Sequence, residues 1–250
     1  MKKVLSKILD SVRIDVFPNN YTCIICDCEL DSDKRYCICD KCIKSVPFIT
    51  DKFCIKCGAK VIADSLVCSD CKTTKRIVDR NVSAVTYSDN MRKLIHEFKY
   101  NGKKYLAQYL GKIMYDKFLG LLHDFEPDII IPVPLNINRS NERGYNQTIE
   151  LLNYFESHKD IIDNNVLVRV KDTPHQASLP KAERKENVKG AFVVEDASKV
   201  KNKNVLIVDD IFTSGATIDE CAKMLKKAGA SRVYSITLAN SHEDEPLKNN

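Results

Sequence analysis

Residues 205–217, with the sequence VLIVDDIFTSGAT, constrain the fold of this chain more than any other stretch. The four leading apolar residues predict a short strand that is buried on both faces, as in a parallel sheet. Asp209 and Asp210 follow at the expected carboxyl end of this strand. Residues 218–228 have helical spacing, and Gly229 is a typical residue to end a helix. The order of strand, turn and helix therefore predicts an α/β fold with a parallel sheet.

The turn between this strand and the helix has the chemistry of a phosphate site. Its hydroxyl and backbone N–H groups would lie at the positive end of a helix, where an anion is favoured. The turn contains no lysine and no GxxxxGK sequence, which excludes a P-loop of the Walker type. The residues that we expect to bind the phosphate are Thr213, Ser214, Gly215, Ala216 and Thr217.

The two aspartates predict a sugar site beside the phosphate. Asp209 and Asp210 are unsuited to phosphate because like charges repel, but carboxylates readily accept hydrogen bonds from a vicinal diol such as that of ribose. The alternative is a strand–turn–helix corner whose aspartates only cap the helix. We favour the phosphate–sugar site, because two adjacent acids and four small turn residues exceed what capping requires.

Four CxxC pairs in the amino-terminal region predict two structural zinc sites. One CxxC pair directs two sulfurs at a tetrahedral ion, and a second pair completes its ligands. Paired in sequential order, the expected ligands are Cys23, Cys26, Cys39 and Cys42 for one ion and Cys54, Cys57, Cys68 and Cys71 for the other. Cross-pairing stays open, and Cys28 and Cys37 are spare thiols that can substitute as ligands. Four protein ligands leave no open position, so we expect one or two structural zinc ions rather than catalytic ones.

The formal charge of +5 does not by itself indicate nucleic-acid binding. Each four-thiolate zinc site carries a charge of −2, so two such sites would lower the total by four, to +1. The amino-terminal segment has no apolar stretch long enough for a signal peptide, and we find no candidate membrane span. We therefore expect a cytoplasmic protein in which the cysteines bind metal rather than form disulfides. The zinc region is expected to be structural, with a partner surface for nucleic acid as the alternative.

Further segments complete the predicted α/β domain. Strands are expected at residues 82–87, 129–134, 166–168 and 231–239, and helices at residues 90–98, 105–122 and 147–155. Arg139 and Arg143 follow the second of these strands and predict an anion clamp, because guanidinium groups bind phosphate oxygens bidentately. Lys99, near the end of the first helix, is a candidate phosphate contact, and a solvated helix end is the alternative.

Three segments together resemble a known family. Residues 205–217 resemble the phosphoribosyl-pyrophosphate (PRPP) motif of type I phosphoribosyltransferases, with Ser214 in place of a threonine. The PVPL sequence at 132–135, with the RGYNQ sequence at 143–147, resembles the ComF (competence protein F) family of phosphoribosyltransferases. The spacing of polar and small residues from Gln176 to Phe192 matches the same family.

The resemblance implies a type I phosphoribosyltransferase fold, with a parallel-sheet core and flanking helices, preceded by a small four-cysteine zinc-ribbon domain. We expect an amino-terminal helix and double zinc-ribbon region at residues 1–76, a phosphoribosyltransferase domain at residues 77–242 and a polar tail at residues 243–250. By the same resemblance, residues 169–190 form a mobile loop that closes over PRPP, with Arg184 contacting the leaving group.

The implied activity is that of a pentosyltransferase, a glycosyltransferase that uses PRPP with magnesium. Asp209, Asp210 and Arg184 would then be the catalytic residues, and Lys99, Arg139, Arg143 and the phosphate turn would bind PRPP. The family also implies a role in natural transformation, with single-stranded DNA and proteins of the DNA-uptake machinery as partners. A non-enzymatic PRPP-sensing or single-stranded-DNA-binding module is the alternative. No segment of the sequence indicates the acceptor.

Overall fold

The computed structural model describes residues 21–31, 34–50, 52–61, 65–135, 144–173, 179–180 and 183–242. The chain divides into two compact units, with the boundary between Ser45 and Val46. The second cysteine cluster therefore lies in the same unit as the sheet. The boundary that the sequence predicts at residue 76 differs from this one, and it stays a prediction. The predicted tail at residues 243–250 lies outside the described residues.

The first unit contains the first cysteine cluster and little regular structure. Its described elements are a 3₁₀ turn at Arg35–Cys37 and the short helix α1 (Asp40–Ile43). Cys39 caps α1 by accepting a hydrogen bond from the Cys42 N–H on its sulfur. With so small a core, this unit depends on its cysteine cluster for stability.

The second unit contains the helices and strands of an α/β domain. Its strands are β1 (Arg80–Thr86), β2 (Ile129–Pro132), β3 (Leu167–Arg169), β4 (Phe192–Val194), β5 (Asn204–Phe212) and β6 (Arg232–Asn240). Its α-helices are α2 (Ser69–Thr73), α3 (Asp89–Tyr100), α4 (Ala107–Leu119), α5 (Leu122–Phe125), α6 (Gln147–Leu152), α7 (Arg184–Val188) and α8 (Ala216–Lys227). Shorter 3₁₀ turns lie at Lys104–Leu106, Glu156–Ile161 and Ala197–Lys199.

Four parallel strands form the core sheet in the order β1-β6-β5-β2. The apolar runs of β2 and β5 are fully buried, as a parallel sheet with covered faces requires. The predicted parallel-sheet core with flanking helices is therefore confirmed. The strand predicted at residues 166–168 corresponds to β3, which pairs antiparallel with β4 in a separate two-stranded sheet. The predicted lid, residues 169–190, begins at the last residue of β3 and ends two residues before β4.

Strand β5 is longer than the apolar run that predicted it. It continues through Asp209 and Asp210 to Phe212, because the ladder between β5 and β6 extends to the Phe212–Asn240 pair. The ladder between β2 and β5 ends earlier, at the Pro132–Val208 pair. The two aspartates therefore lie on a regular strand rather than in the turn after it.

Buried polar side chains on β1 and β6 hold residues 54–71, the second predicted zinc ribbon, against the sheet. The Cys57 carbonyl accepts hydrogen bonds of 2.8 Å from the side-chain amides of both Asn81 and Asn240. The side-chain amide oxygen of Asn81 (Oδ1) in turn accepts a hydrogen bond from the Ser235 hydroxyl. All of these side chains are completely buried, so their polar groups depend on one another for hydrogen bonds. The docking of the ribbon explains why the compact unit begins at residue 46 rather than at residue 77.

Replacing Gly58 with alanine should destabilise the second unit. Gly58 has a φ of +71°, and an added Cβ would lie 2.9 Å from the Asn81 carbonyl oxygen and 2.9 Å from the Val82 Cα. The clash is with backbone, so we expect a loss of about 2–4 kcal/mol from left-handed strain and overpacking together.

Denaturant unfolding of the Gly58→Ala variant measures this loss, with Gly102→Ala as the matched control. Gly102 has a similar φ of +67°, but nothing lies within 4 Å of its added Cβ. We expect the control to lose only the conformational part, about 1–2 kcal/mol. Equal losses in the two variants would contradict the close approach of the ribbon to β1.

In the part of the chain that the structure describes, no helix is both long and apolar enough to cross a lipid bilayer.

Candidate active site

A cavity of about 420 Å³ lies where the parallel strands of the core sheet end. This edge is the usual ligand site of open parallel sheets. The cavity brings together six of the residues singled out from the sequence, namely Lys99, Arg184, Asp209, Asp210, Thr213 and Thr217. These residues come from α3, α7, β5 and the turn and helix that follow β5.

The aspartate pair is held by the paired part of β5. Because the β2 ladder ends at Val208 while β6 continues, Asp209 and Asp210 are fixed along one edge and face the cavity. The backbone N–H of Asp210 donates to the Asp209 carboxylate at 2.9 Å. Adjacent side chains on a strand point to opposite sides, so the two carboxylates reach different surroundings.

Asp210 pairs with Lys99, whereas Asp209 is held closer to its neutral form. The Lys99 ammonium lies 2.8 Å from the Asp210 carboxylate, and both side chains are mostly buried. Burial opposes the charge of Lys99, but the two carboxylates outweigh it and raise the lysine pKa. Burial, with the adjacent Asp210 charge, raises the pKa of Asp209 to about 7. A small change in pH near neutrality therefore changes the net charge of the two aspartates.

Cationic side chains outnumber the carboxylates among the described residues that line the cavity. Arg92, Lys99, Arg169 and Arg184 face the two aspartates, which leaves an excess of two positive charges when both aspartates are ionised. The excess suits a ligand with several phosphate oxygens. The two carboxylates still provide acceptors for hydroxyl groups at the same edge.

The predicted phosphate turn is only partly directed at this cavity. Thr213 and Thr217 line it, and Gly215 caps α8 with a φ of +76° that suits glycine. Ser214 and Ala216 instead line a second cavity of about 760 Å³, together with Arg76. The carbonyl oxygen of Ser214 accepts a hydrogen bond from the Arg76 guanidinium.

Of the three predicted arginines, Arg184 is the one that the structure describes at the site. It is the first residue of α7, and its Nε donates to the Leu179 carbonyl at 3.1 Å. The base of the same loop is attached to α8, because the Gly190 N–H donates to the Glu220 carboxylate at 2.8 Å. Arg139 and Arg143 lie outside the described residues. Closure of residues 169–190 over a ligand stays a prediction.

Two further arginines of the site were missed by sequence reasoning. Arg92 lies on α3 seven residues before Lys99, which places both on one face of the helix. That spacing is a signal that the sequence contains. Arg169 ends β3 and has no local signal beyond a charge after two apolar residues. Other lining residues that the sequence did not single out are Tyr87, Tyr100, Thr148 and Ser241.

The eight predicted zinc ligands form two clusters in sequential order. In each cluster the four sulfur atoms lie within 4.8 Å of one another. The sulfurs of Cys57 and Cys68 are 3.6 Å apart and those of Cys26 and Cys39 are 3.9 Å apart. A tetrahedral zinc ion with Zn–S bonds of about 2.3 Å requires sulfurs about 3.8 Å apart, so both clusters fit zinc.

Cross-pairing is therefore not the arrangement of the described cysteines. Cys37 donates its S–H to the Thr22 carbonyl at 3.2 Å and belongs to neither cluster. Cys28 is exposed and also lies outside both ligand sets. With four thiolates for each ion, zinc has a structural role here.

Comparison with protein families matches both parts of the chain. Residues 150–250 match the phosphoribosyl transferase domain, and residues 15–72 match the double zinc ribbon domain. The zinc-ribbon match covers all eight cysteines of the two clusters. Together with the parallel core sheet, these matches identify a type I phosphoribosyltransferase fold preceded by zinc ribbons.

Curated relatives match over most of the chain. Competence protein F of Haemophilus influenzae is 31% identical over 89% of this chain and 98% of its own length. DNA utilization protein YhgH of Escherichia coli K12 is 30% identical over 78% of this chain and 87% of its own. Competence protein ComFC of Bacillus subtilis is 28% identical over 88% of this chain and 95% of its own. The chain belongs to the competence protein F family.

Proposed function

We propose that the cavity at the carboxyl edge of the sheet binds PRPP with magnesium, and that the chain is a phosphoribosyltransferase of the pentosyltransferase class. The observation that carries this proposal is the meeting of a carboxylate pair, a phosphate-type turn and several cations in one cavity. PRPP presents a diol, a 5′-phosphate and a pyrophosphate, and each has a matching group among these residues.

In this proposal the protein positions PRPP by its two ends. Thr213, Thr217 and the amino terminus of α8 hold the 5′-phosphate, which fixes the anomeric carbon without chemistry at that phosphate. Asp209 and Asp210 accept hydrogen bonds from the ribose hydroxyls. Their charge also favours the positive charge that develops on the ribose ring as the bond to pyrophosphate breaks.

The cationic side chains stabilise the leaving group. In this proposal Arg184 and Arg169, which line the cavity, neutralise pyrophosphate as it departs with the electrons of its bond to the anomeric carbon. Arg139 and Arg143 are proposed for the same role. Magnesium, when bound with PRPP, adds positive charge at the pyrophosphate. The acceptor forms the new bond to the anomeric carbon, and its identity is not part of the proposal.

Calorimetric titration with PRPP and magnesium tests the proposal. Saturable binding by folded, zinc-replete protein supports it and justifies a screen of acceptors by pyrophosphate release. Ribose 5-phosphate and inorganic pyrophosphate, titrated separately, show which half of PRPP supplies the affinity. If none of the three binds, the proposed site is wrong.

Binding of PRPP should strengthen as the pH rises through 7. Below this pH, Asp209 is protonated because its pKa is raised to about 7, and it must lose this proton before its carboxylate can accept hydrogen bonds from the diol. We expect about tenfold tighter binding at pH 8 than at pH 6 from this group. Titration at pH 7 in buffers of different ionisation enthalpy counts the protons released. The same count with inorganic pyrophosphate corrects for protons that come from the phosphates, and equal counts for both ligands would contradict the role of Asp209.

A DNA-handling role is a second candidate, because curated relatives are named for competence and for DNA utilization. In this form the chain senses PRPP or binds single-stranded DNA, with a role in DNA uptake during natural transformation. Binding of a fluorescent oligonucleotide with and without PRPP separates the candidates. A change in DNA affinity on adding PRPP favours a coupled DNA function, whereas PRPP binding without DNA binding favours a metabolic transferase.

A further inference from the structure

Arg76 connects the second zinc ribbon to the phosphate turn. Its side chain is 4% exposed, and its Nη2 donates to the Asp70 carboxylate at 2.8 Å. Its Nη1 donates to the carbonyl oxygen of Ser214 at 2.5 Å. Asp70 lies on α2 between the zinc ligands Cys68 and Cys71. One guanidinium thus reaches the metal-binding segment on one side and the turn on the other.

A second contact fixes the same guanidinium to the start of α8. Arg76 Nη1 lies 3.4 Å from one oxygen of Asp219, which is in the first turn of α8. The other Asp219 oxygen accepts hydrogen bonds from the backbone N–H groups of Ile77 and Val78, at 2.8 and 3.1 Å. The chain that leaves the ribbon is therefore attached to the helix whose amino terminus faces the proposed phosphate site.

Gly215 of the turn lies directly against this arginine, with no room for a side chain between them. A Cβ added to Gly215 would lie 2.5 Å from Arg76 Nη1 and 2.6 Å from the ring of Phe212. The guanidinium itself lies over the Phe212 ring, 5.3 Å from its centroid. Gly215, in its left-handed conformation, thus packs directly on the arginine and its aromatic neighbour.

The charge of Arg76 is matched to its partners. The carboxylates of Asp70 and Asp219 lie 2.8 and 3.4 Å from the guanidinium, and both are mostly buried, so they balance its charge where water is largely excluded. The arginine is therefore held on the ribbon side by the Asp70 carboxylate and on the helix side by Asp219.

We propose that Arg76 is a positioning residue that fixes the turn at residues 213–217 on the second zinc ribbon, and thereby makes this ribbon a structural part of the phosphate site. The identity of the ligand rests on the proposed PRPP function, but the coupling between ribbon and turn does not. Arg76 itself lines the second cavity, not the one proposed for PRPP. It acts through the turn.

The test compares hydrogen exchange of the backbone amides of residues 212–217 in the ligand-free parent and in four ligand-free variants. Arg76→Met removes the whole link, Arg76→Lys keeps a charge that cannot reach all acceptors, and Asp70→Asn weakens only the ribbon side. Arg80→Met is the matched control, because Arg80 is an ion-paired arginine of the same unit that contacts Asp124 and not the turn. Zinc content is measured for each variant.

We expect Arg76→Met to retain zinc and to exchange the turn amides at least about tenfold faster, with smaller increases in Arg76→Lys and Asp70→Asn. PRPP affinity should fall about tenfold or more in Arg76→Met and stay unchanged in Arg80→Met. Unchanged exchange of the turn amides in Arg76→Met would overturn the proposal. If Arg76→Met does not fold, unchanged exchange in both Arg76→Lys and Asp70→Asn would overturn it. If the turn amides exchange faster in the variants but the parent protein does not bind PRPP, the coupling between ribbon and turn is supported and the PRPP function is refuted.

Discussion

Replacing Asp209 and Asp210 together with asparagine should weaken the binding of PRPP and magnesium at least about 100-fold, because hydrogen bonds to charged groups contribute about 1.5–3 kcal/mol each. Asparagine keeps the size of each side chain but removes both negative charges from the cavity. One of the two amide atoms can still accept a hydrogen bond, so the loss comes mainly from charge. Calorimetric titration at pH 8, above the raised pKa of Asp209, measures the loss of affinity.

The two single variants should differ in stability even though both lose affinity. Asp209 has a pKa raised to about 7, so its ionised form is less stable in the folded protein than in the unfolded one. Its unfavourable contribution grows as the pH rises from about 4 to 7, and Asp209→Asn should remove it. Asp210→Asn instead leaves the mostly buried Lys99 ammonium without its nearest partner, so it should destabilise the protein.

The opposite stability effects of the two single variants distinguish a loss of PRPP binding from a loss of folded protein. At pH 8, the midpoint temperature of thermal unfolding should be equal to or higher than that of the parent for Asp209→Asn, and lower than that of the parent for Asp210→Asn. The exposed Asp160→Asn, which removes a carboxylate that does not line the cavity, is the matched control and should bind PRPP as the parent does. Parent-like affinity in the double variant would mean that the carboxylate pair does not hold PRPP.

Sequence reasoning singled out residues that line one cavity because the signals of this candidate site are local. An apolar run, two acids and a small-residue turn are contiguous, and the carboxyl edge of a parallel sheet brings such segments together. The same reasoning placed the aspartates after the strand, since the apolar run stops at Val208. Pairing with β6 extends β5 beyond that run, and a pairing partner more than 20 residues away cannot be read from the strand itself.

The residues that sequence reasoning missed act over long separations in the chain. Arg76 was given no role from the sequence beyond the end of the zinc-ribbon region, yet its partners include Ser214 and Asp219, 138 and 143 residues away. The second ribbon was expected to be separate from the sheet, because cysteine spacing reports metal binding and not docking. Its attachment depends on Asn81 and Asn240 meeting the carbonyl of Cys57, a contact that no spacing rule predicts.

Removing the second zinc cluster should unfold the phosphoribosyltransferase domain, whereas removing the first should not. Cys57→Ser with Cys68→Ser eliminates two completely buried ligands of a ribbon that is hydrogen-bonded to β1 and β6. Structural zinc contributes about 10–16 kcal/mol in isolated zinc fingers, which equals or exceeds the usual stability of a domain, about 5–15 kcal/mol. We expect the cooperative thermal transition of residues 46–242 to fall by at least about 10 °C or to disappear.

Cys26→Ser with Cys39→Ser is the matched pair in the other compact unit. It should release one zinc ion and leave the main transition within about 3 °C of the parent, since these ligands stabilise residues outside the α/β core. Calorimetry gives the transition temperature of both double variants, and zinc analysis gives their zinc content. An equal fall in the transition temperature of the two double variants would mean that the two clusters share a structural role. A fall in the transition temperature that is confined to the second pair would instead show that one zinc ribbon is built into the phosphoribosyltransferase domain and that the other is separable from it.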